Sequence, residues 1–342
     1  MAFLLKYRIK YICCIAFTYI IVGSCKKYQF SENFSSPVMV YESFCHEVDN
    51  NFSFFSYINL NWDSVQDVYR KRVSNSMSQK ELSNVLGEMI VLLKDAHSEI
   101  DTPYGNYYYT GWYINHPSNV IPNISNYISY YSYANDTMNY GKIRNTNLGY
   151  IQIKTFGGND SSSYTIIDKI LNQLKNTTGL IIDIRLNGGG NATFGKIIAG
   201  RFTDSIRVAV KYRFRNGPNH NDFTPWINDN IIPDHYIYKK PIVILTNKLS
   251  ASASEWFVCF MKMLPQVKTV GDTTCGVSGQ PMFRELSNGW MLRISNSQSK
   301  LPSGKDYQYT GLYPDFPVWI TKEQSQQRID AILEKAIEIL QN

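Results

Sequence analysis

Cysteine is scarce in this 342-residue chain, which holds six, and three of them, Cys13, Cys14 and Cys25, fall at its extreme N-terminal end. The other three, Cys45, Cys259 and Cys275, are too few for a disulfide-dense scaffold and are not spaced like a zinc module. A chain of this length can bury a sizeable apolar core in one large domain or two smaller ones, so neither kind of staple is required. Cys259 lies inside an apolar helical run and reads as core; a bridge from Cys259 to Cys275 is left open. Phosphate loops of the GxGxxG or GxxxxGK kind are also lacking, which removes the usual argument for a nucleotide. No internal repeat or low-complexity tract is present. Charge of one sign is not concentrated: the formal balance is +6, and it falls to +3 without residues 1–24, which carry Lys6, Arg8 and Lys10 and no acidic residue. Such a balance gives no case for a nucleic-acid partner. The longest apolar stretch, YICCIAFTYIIVG, is short for a membrane-spanning helix.

That stretch has the proportions of the apolar region of an export signal, preceded by basic residues and followed by the small residues Val22, Gly23 and Ser24. With Cys25 next, VGSC resembles a bacterial lipoprotein signal. The resemblance implies cleavage before Cys25, lipidation of that cysteine, and an exported protein tethered to a bacterial membrane, periplasmic or outer. An uncleaved anchor over residues 1–24 is the alternative, and both place the bulk of the chain outside the cytoplasm.

Five stretches follow from the change of pattern along the chain: a signal over 1–24, a tether over 25–38, a helical subdomain over 39–101, a Tyr-rich linker or small β segment over 102–145, and an α/β core over 146–342. In the helical part Ser78 and Glu81 form a capping box ahead of Leu82, Val85, Leu86, Met89, Ile90 and Leu93, which recur at helical spacing. The end of that helix delivers Asp95, Ala96 and His97. Residues 102–145 are rich in Tyr, Asn and Ser, suited to structural packing or to lining a peptide groove. From residue 146 onward strands and helices alternate, as in a core of βαβ units. Strands are expected at GYIQIKTF, LIIDIR, IRVAVKYRFR, IVILT and VKTVGD, with helices over 164–179 and 252–264. A hairpin is expected around Ser287, Asn288 and Gly289, and Thr321 with Gln324 is expected to cap a final helix built on Ile329, Ile332, Leu333, Ala336, Ile337 and Leu340.

The core is organised around PIVILTNKLSASASEW, residues 241–256, where a buried strand stops and small residues lead into a helix. Such a junction aims side chains and amides into the crevice beyond the strand ends. Ser250, Ser252 and Ser254 crowd it, and any of them can be a simple N-cap. Acyl transfer at one of them requires a base and amide donors for an oxyanion. Asn187-Gly188-Gly189-Gly190, just after another buried strand, lets main-chain amides approach a ligand, or forms a loose turn.

Taken in order, KDAHSEI, DIRLNGGG, TNKLSASASEW, VGDTTCGVSGQP and GLYPD resemble the S41 family of serine peptidases, the tail-specific or C-terminal processing peptidases. The resemblance covers residues 38–340 and implies a ClpP/crotonase-like α/β core with an N-terminal helical segment. It implies Ser252, the middle serine of SASAS, as nucleophile, and the amides of Ala253 and Gly189 as oxyanion donors, with Gly188 one place away as the alternative. Val277 stands where the Ser–Lys branch carries its lysine and cannot accept a proton. His97 of Asp95-Ala96-His97 matches the base of the Ser–His, tricorn-type branch, and an imidazole titrating near 6.5 suits that role. That branch places a glutamate where this chain has Gln308, whose amide oxygen can take an imidazole N–H but carries no charge; Asp306 is the alternative if the loop register differs. Asp315 reads as a turn or capping residue, and His46, His116, His220 and His235 as structural or solvent-facing. No intact PDZ domain fits into 102–145.

These expectations describe a serine endopeptidase acting on peptides or unfolded exported proteins, without metal or cofactor. The alternatives are a weakly active or inactive relative that binds a peptide or apolar ligand, and an acyl hydrolase using the same serine. Oligomeric state is not legible.

Overall fold

The computed structural model describes residues 35–342 except residues 113, 115, 117, 122, 123 and 159. The signal segment and Cys25 lie outside the described residues.

The chain opens with α1 (Pro37–Asn51), α2 (Trp62–Arg70) and α3 (Gln79–Leu92), then β1 (Glu99–Thr102) and β2 (Gly105–Tyr108). Ser36 caps α1 by accepting the Met39 N–H, and Pro37 sits at the first turn, where no N–H is needed. The Ser78–Glu81 capping box forms on α3 as expected, and Leu82, Val85, Leu86, Met89 and Ile90 are buried. Next come β3 (Ile128–Tyr133), β4 (Met138–Ile143), β5 (Leu148–Ile153), α4 (Ser162–Thr165), α5 (Ile167–Gln173), β6 (Gly179–Asp183) and α6 (Ala192–Ala199). They are followed by β7 (Arg207–Phe214), β8 (Ile227–Ile231), β9 (Ile242–Thr246), α7 (Ala253–Lys262) and β10 (Val267–Gly271). The chain ends with β11 (Pro281–Glu285), β12 (Met291–Ser295), β13 (Ser297–Lys300), β14 (Phe316–Pro317), α8 (Lys322–Gln326) and α9 (Ala331–Gln341).

A seven-stranded sheet runs β14-β10-β9-β6-β5-β4-β3, parallel from β14 to β5 and antiparallel at β4 and β3. Every residue of β6 and β9 is buried, as expected for central parallel strands covered on both faces. Alternation divides their side chains: Leu180, Ile182, Ile242 and Ile244 pack with Ile198, Phe257 and Phe260 of α6 and α7. Ile181, Val243 and Leu245 point the other way, into a cluster with Ile332, Leu333 and Ala336 of α9. Fully burying one such aliphatic chain contributes about 1.5–3 kcal/mol, so these two layers fix the register of the strand ends that carry the site.

The Tyr-rich stretch is not a separate body. It gives β2 to a four-stranded antiparallel sheet, order β11-β12-β1-β2, and gives β3 and β4 to the edge of the main sheet. Leu292, Ile294 and Trp290 of the late hairpin share one core with Phe44, Leu86 and Ile90 of the N-terminal helices. A third sheet, β13-β7-β8, includes β8, drawn from the polar stretch between IRVAVKYRFR and IVILT.

Two helix boundaries differ from expectation. The helix anticipated over 164–179 breaks into α4 and α5 at Ile166 and stops at Gln173. Thr321 and Gln324 do form a capping box, but on the short α8; Arg328 then takes a left-handed φ of 58°, and Asp330 caps α9 by accepting the Leu333 N–H. A local capping pattern marks a helix start and carries no information on its length.

Candidate active site

Ser252 ends the β9–α7 turn with φ 58° and ψ −118°. A conventional N-cap serine lies in the extended region, and a non-glycine residue in this conformation costs on the order of 1–3 kcal/mol. Ser252 is the N-cap of α7 and shares a capping box with Glu255, yet it departs from the conventional cap conformation and sits on a strained strand-to-helix turn. The two flanking serines act as staples. Ser250 Oγ donates to Ile184 O at 2.9 Å, and Ser254 Oγ donates to Asn187 O at 2.7 Å, tying the turn to the glycine run.

Gly189 packs directly on this turn. A Cβ built on it would lie 2.7 Å from Ala251 O, 2.8 Å from Ser252 Cβ and 3.1 Å from Ala253 N, and its φ of 106° is in a region that favours glycine. Its own N–H donates to Asn187 Oδ1 at 3.0 Å. The Ala253 amide is at the first position of α7, where helix geometry supplies no intrahelical acceptor.

Glu255, which sequence reasoning passed over, holds the turn from within. It is fully buried, and its Oε2 accepts the Ser252 N–H at 3.1 Å and the Val277 N–H at 2.8 Å. Oε1 accepts from Thr274 Oγ at 2.6 Å and from the Gly276 N–H at 2.7 Å. Burial pushes its carboxyl above the usual range, against the pull of these four donors. The available signal was the spacing of Ser252 and Glu255, that of a capping box, with the carboxylate also gathering the 274–277 loop.

His97 arrives from the other core. After α3, Lys94 takes a left-handed φ of 52°, and β1 pairs antiparallel with β12, Glu99 opposite Arg293. Arg293 Nε donates to His97 O at 2.7 Å. The half-buried imidazole has Nδ1 2.6 Å from Gly279 O. A carbonyl only accepts, so Nδ1 carries the proton and Nε2 is the basic nitrogen. Burial lowers the imidazole pKa below its ordinary value; Asp95 opposes this, Arg293 adds to it, and the Gly279 carbonyl opposes it. Gly279, with Val277, Ser278, Gln280 and Pro281, lines the same cavity as Ser252, Ala253 and Gly190, of about 770 Å³. His97 is thus tied, through Gly279 O, to a residue in that cavity's wall, while the imidazole itself is not among the residues that line it.

Gln308 does not orient the imidazole. Its Oε1 accepts from the Ser278 N–H at 2.6 Å and from Ser278 Oγ at 2.9 Å, and its Nε2 donates to Asp95 Oδ1 at 3.2 Å. Asp95, fully buried, also accepts from Ser98 Oγ at 2.6 Å and Ser295 Oγ at 2.7 Å. Nor does Asp306 replace it: one carboxylate oxygen accepts the Gln308 N–H at 2.9 Å and the other accepts from Tyr57 OH. Asp315 anchors β10 through Thr269 and pairs with Lys262 at 2.8 Å, a structural role. Cys45, Cys259 and Cys275 are buried free thiols. His46 bonds Asn50, His220 pairs with Asp49, His235 with Asp234, and His116 with Asp272.

The DIRLNGGG stretch adds a buried ionic cluster. Arg185 bridges Asp183 at 2.6 Å and Asp330 at 2.8 Å, all three buried, and Tyr150 OH donates to Asp183 at 2.8 Å. It ties the strand end before the glycine run to the start of α9.

A strained serine turn beside a glycine run at the carboxyl ends of a parallel sheet defines a serine-hydrolase class of site. The family model for peptidase family S41 matches residues 147–318, and that for the tricorn protease C1 domain matches residues 39–91. The chain belongs to peptidase family S41, whose relatives here are C-terminal processing proteases. The carboxy-terminal processing protease CtpB of Bacillus subtilis is 25% identical over 179 residues, 52% of this chain and 35% of that protein. The chain spans about a third of the length of the curated relatives it matches. A crystal structure from Parabacteroides merdae ATCC 43184 superposes with TM-score 0.81 at 33% identity, covering 90% of this chain and 97% of that one. The tricorn protease shares the fold at TM-score 0.53 and 16% identity, covering 90% of this chain and 37% of that one.

Proposed function

We propose that this protein is a Ser–His peptidase in which Ser252 forms the acyl-enzyme and His97 is the general base. The carrying observation is the 2.6 Å contact between His97 Nδ1 and Gly279 O, in the wall of the Ser252 cavity: a carbonyl only accepts, so Nδ1 holds the proton and Nε2 is the proton acceptor. Ser252 Oγ attacks the peptide carbonyl as Nε2 takes its proton, and the Ala253 amide stabilises the oxyanion; the Gly189 amide, expected as the second donor, is instead given to Asn187 Oδ1, so Gly189 contributes by its close approach to the turn. The imidazolium returns that proton to the leaving amine, and a water activated by the same nitrogen hydrolyses the ester. A carbonyl in place of a carboxylate behind the imidazole stabilises the imidazolium less, which favours a slow enzyme over an inactive one.

The substrates are peptides or unfolded segments of exported proteins. Lys6, Arg8, Lys10 and the VGSC sequence support export and a lipid on Cys25. Labelled palmitate incorporated by cells and lost in Cys25→Ala tests the anchor. For the chemistry, full-length protein in detergent is treated with a fluorophosphonate: labelling that vanishes in Ser252→Ala is expected. Equal labelling of both proteins, together with undiminished peptide cleavage by the variant, sinks the reading.

A further inference from the structure

The Ser252 cavity carries one pair of opposite charges that the acyl-transfer steps do not use. Lys196 stands in the second turn of α6, and Asp229 stands on β8, opposite Val210 at a register shift in the ladder. Lys196 Nζ donates to Asp229 Oδ1 at 2.5 Å, and no other charged side chain lines the cavity among the described residues. The two side chains are 34% and 19% exposed, so the pair is half-buried and still reachable. Neither charged group has a further hydrogen-bond partner among the described residues, which leaves two N–H groups on Nζ and the carboxylate oxygen Oδ2 for a ligand. Tyr212 and Trp256, with ring centroids 5.7 Å apart, line the same cavity.

We propose that this pair makes the cavity selective for a neutral amide side chain, glutamine or asparagine, next to the scissile bond. The proposal rests on the peptidase reading, which places the substrate chain over Ser252. An amide side chain ends in one acceptor oxygen and an NH2 donor, and the pair offers the complementary set, an Nζ–H for the oxygen and Oδ2 for the NH2. The aliphatic stem packs on the two aromatic rings. Charged side chains of either sign are rejected, because the pair cancels its own charge. A glutamate that takes an Nζ–H also meets the Asp229 carboxylate, and a lysine that takes Oδ2 also meets the Lys196 ammonium, so each attraction is offset by repulsion. Removing one partner unmasks the other, and selectivity then follows the charge that remains.

Binding to full-length Ser252→Ala protein in detergent tests this without turnover. Fluorescein-labelled, amidated octapeptides differ only at one central residue, which is glutamine, leucine, glutamate or lysine. The glutamine peptide is expected to bind about tenfold tighter than each of the others. Adding Asp229→Asn should put the glutamate peptide first, and adding Lys196→Met should put the lysine peptide first. The exchanged pair, Lys196→Asp with Asp229→Lys, should keep the preference for glutamine, and thermal melts show which variants fold. Tightest binding of the leucine peptide overturns the proposal in favour of a plain apolar pocket. One order of binding in every folded variant also overturns it, leaving the pair only a tether between α6 and β8. Fluorophosphonate labelling of the unsubstituted protein reports Ser252 separately. A glutamine preference in a protein that is never labelled keeps the pocket and removes the peptidase, while labelling without the preference does the reverse.

Discussion

Gln308 donates its amide N–H to Asp95 Oδ1 at 3.2 Å while its oxygen takes both the amide and the hydroxyl of Ser278. Gln308 thus braces the DAH turn against the loop that carries Gly279. Restoring the carboxylate by Gln308→Glu is predicted to lower activity and stability. The new oxygen would face Asp95 with no N–H between them, at a cost of about 1–3 kcal/mol. Peptide cleavage and the urea midpoint measure both, and a gain in cleavage would contradict the brace.

On the proposed Ser–His chemistry, the lowered pKa of His97 is predicted to set the acid limb. Burial disfavours the imidazolium, so the neutral base persists below pH 6.5, and kcat/KM should begin to fall only beneath that value. The unfolded chain takes this proton more readily than the native one. Stability from this group is therefore intact above pH 6.5 and lost as pH falls toward the native pKa. A pH–rate profile with its acid limb above pH 6.5 would contradict this.

Gly189→Ala tests the close approach of the glycine run. Its Cβ would sit 2.7 Å from Ala251 O at a φ of 106°, so the turn must shift. Because that shift would displace the Ala253 amide, a loss of activity on the order of a hundredfold is expected, with little change in the affinity of a bound peptide. Steady-state kinetics and peptide binding separate the two.

Glu255→Gln replaces an acceptor of four hydrogen bonds with a group that presents an NH2 to N–H donors. It is predicted to cost about 1–3 kcal/mol and to relax the Ser252 turn. The expected signature is a lower melting temperature accompanied by slower fluorophosphonate labelling.

Arg185→Met leaves Asp183 and Asp330 buried without their cation. Breaking such a cluster from one side costs about 3–5 kcal/mol. Denaturant unfolding should show it directly, and an unchanged midpoint would mean that the cluster contributes nothing net.

Much of the fold was legible. The α3 capping box, the buried runs of β6 and β9 and the hairpin at Ser287-Asn288-Gly289 declare themselves through local capping, periodicity and turn chemistry, which act over a few residues. The break at Ile166 and the start of α9 at Asp330 were not legible, because periodicity continues across both while packing and a new cap decide where each helix stops. The β8 strand is likewise not legible, since its partner β7 supplies what its own polar sequence does not.

For the site, sequence alone determined which side chains are available: three serines at a strand end, three glycines after another, an imidazole after a capped helix, and no lysine at 277. Tertiary structure alone decided their surroundings. Which serine is strained, which acceptor holds Nδ1, and that Gln308 faces Asp95 depend on how two separately cored segments meet at residues 274–281. Hydrogen bonds across more than a hundred residues of chain have no counterpart in local spacing, so no pattern along the sequence could encode them.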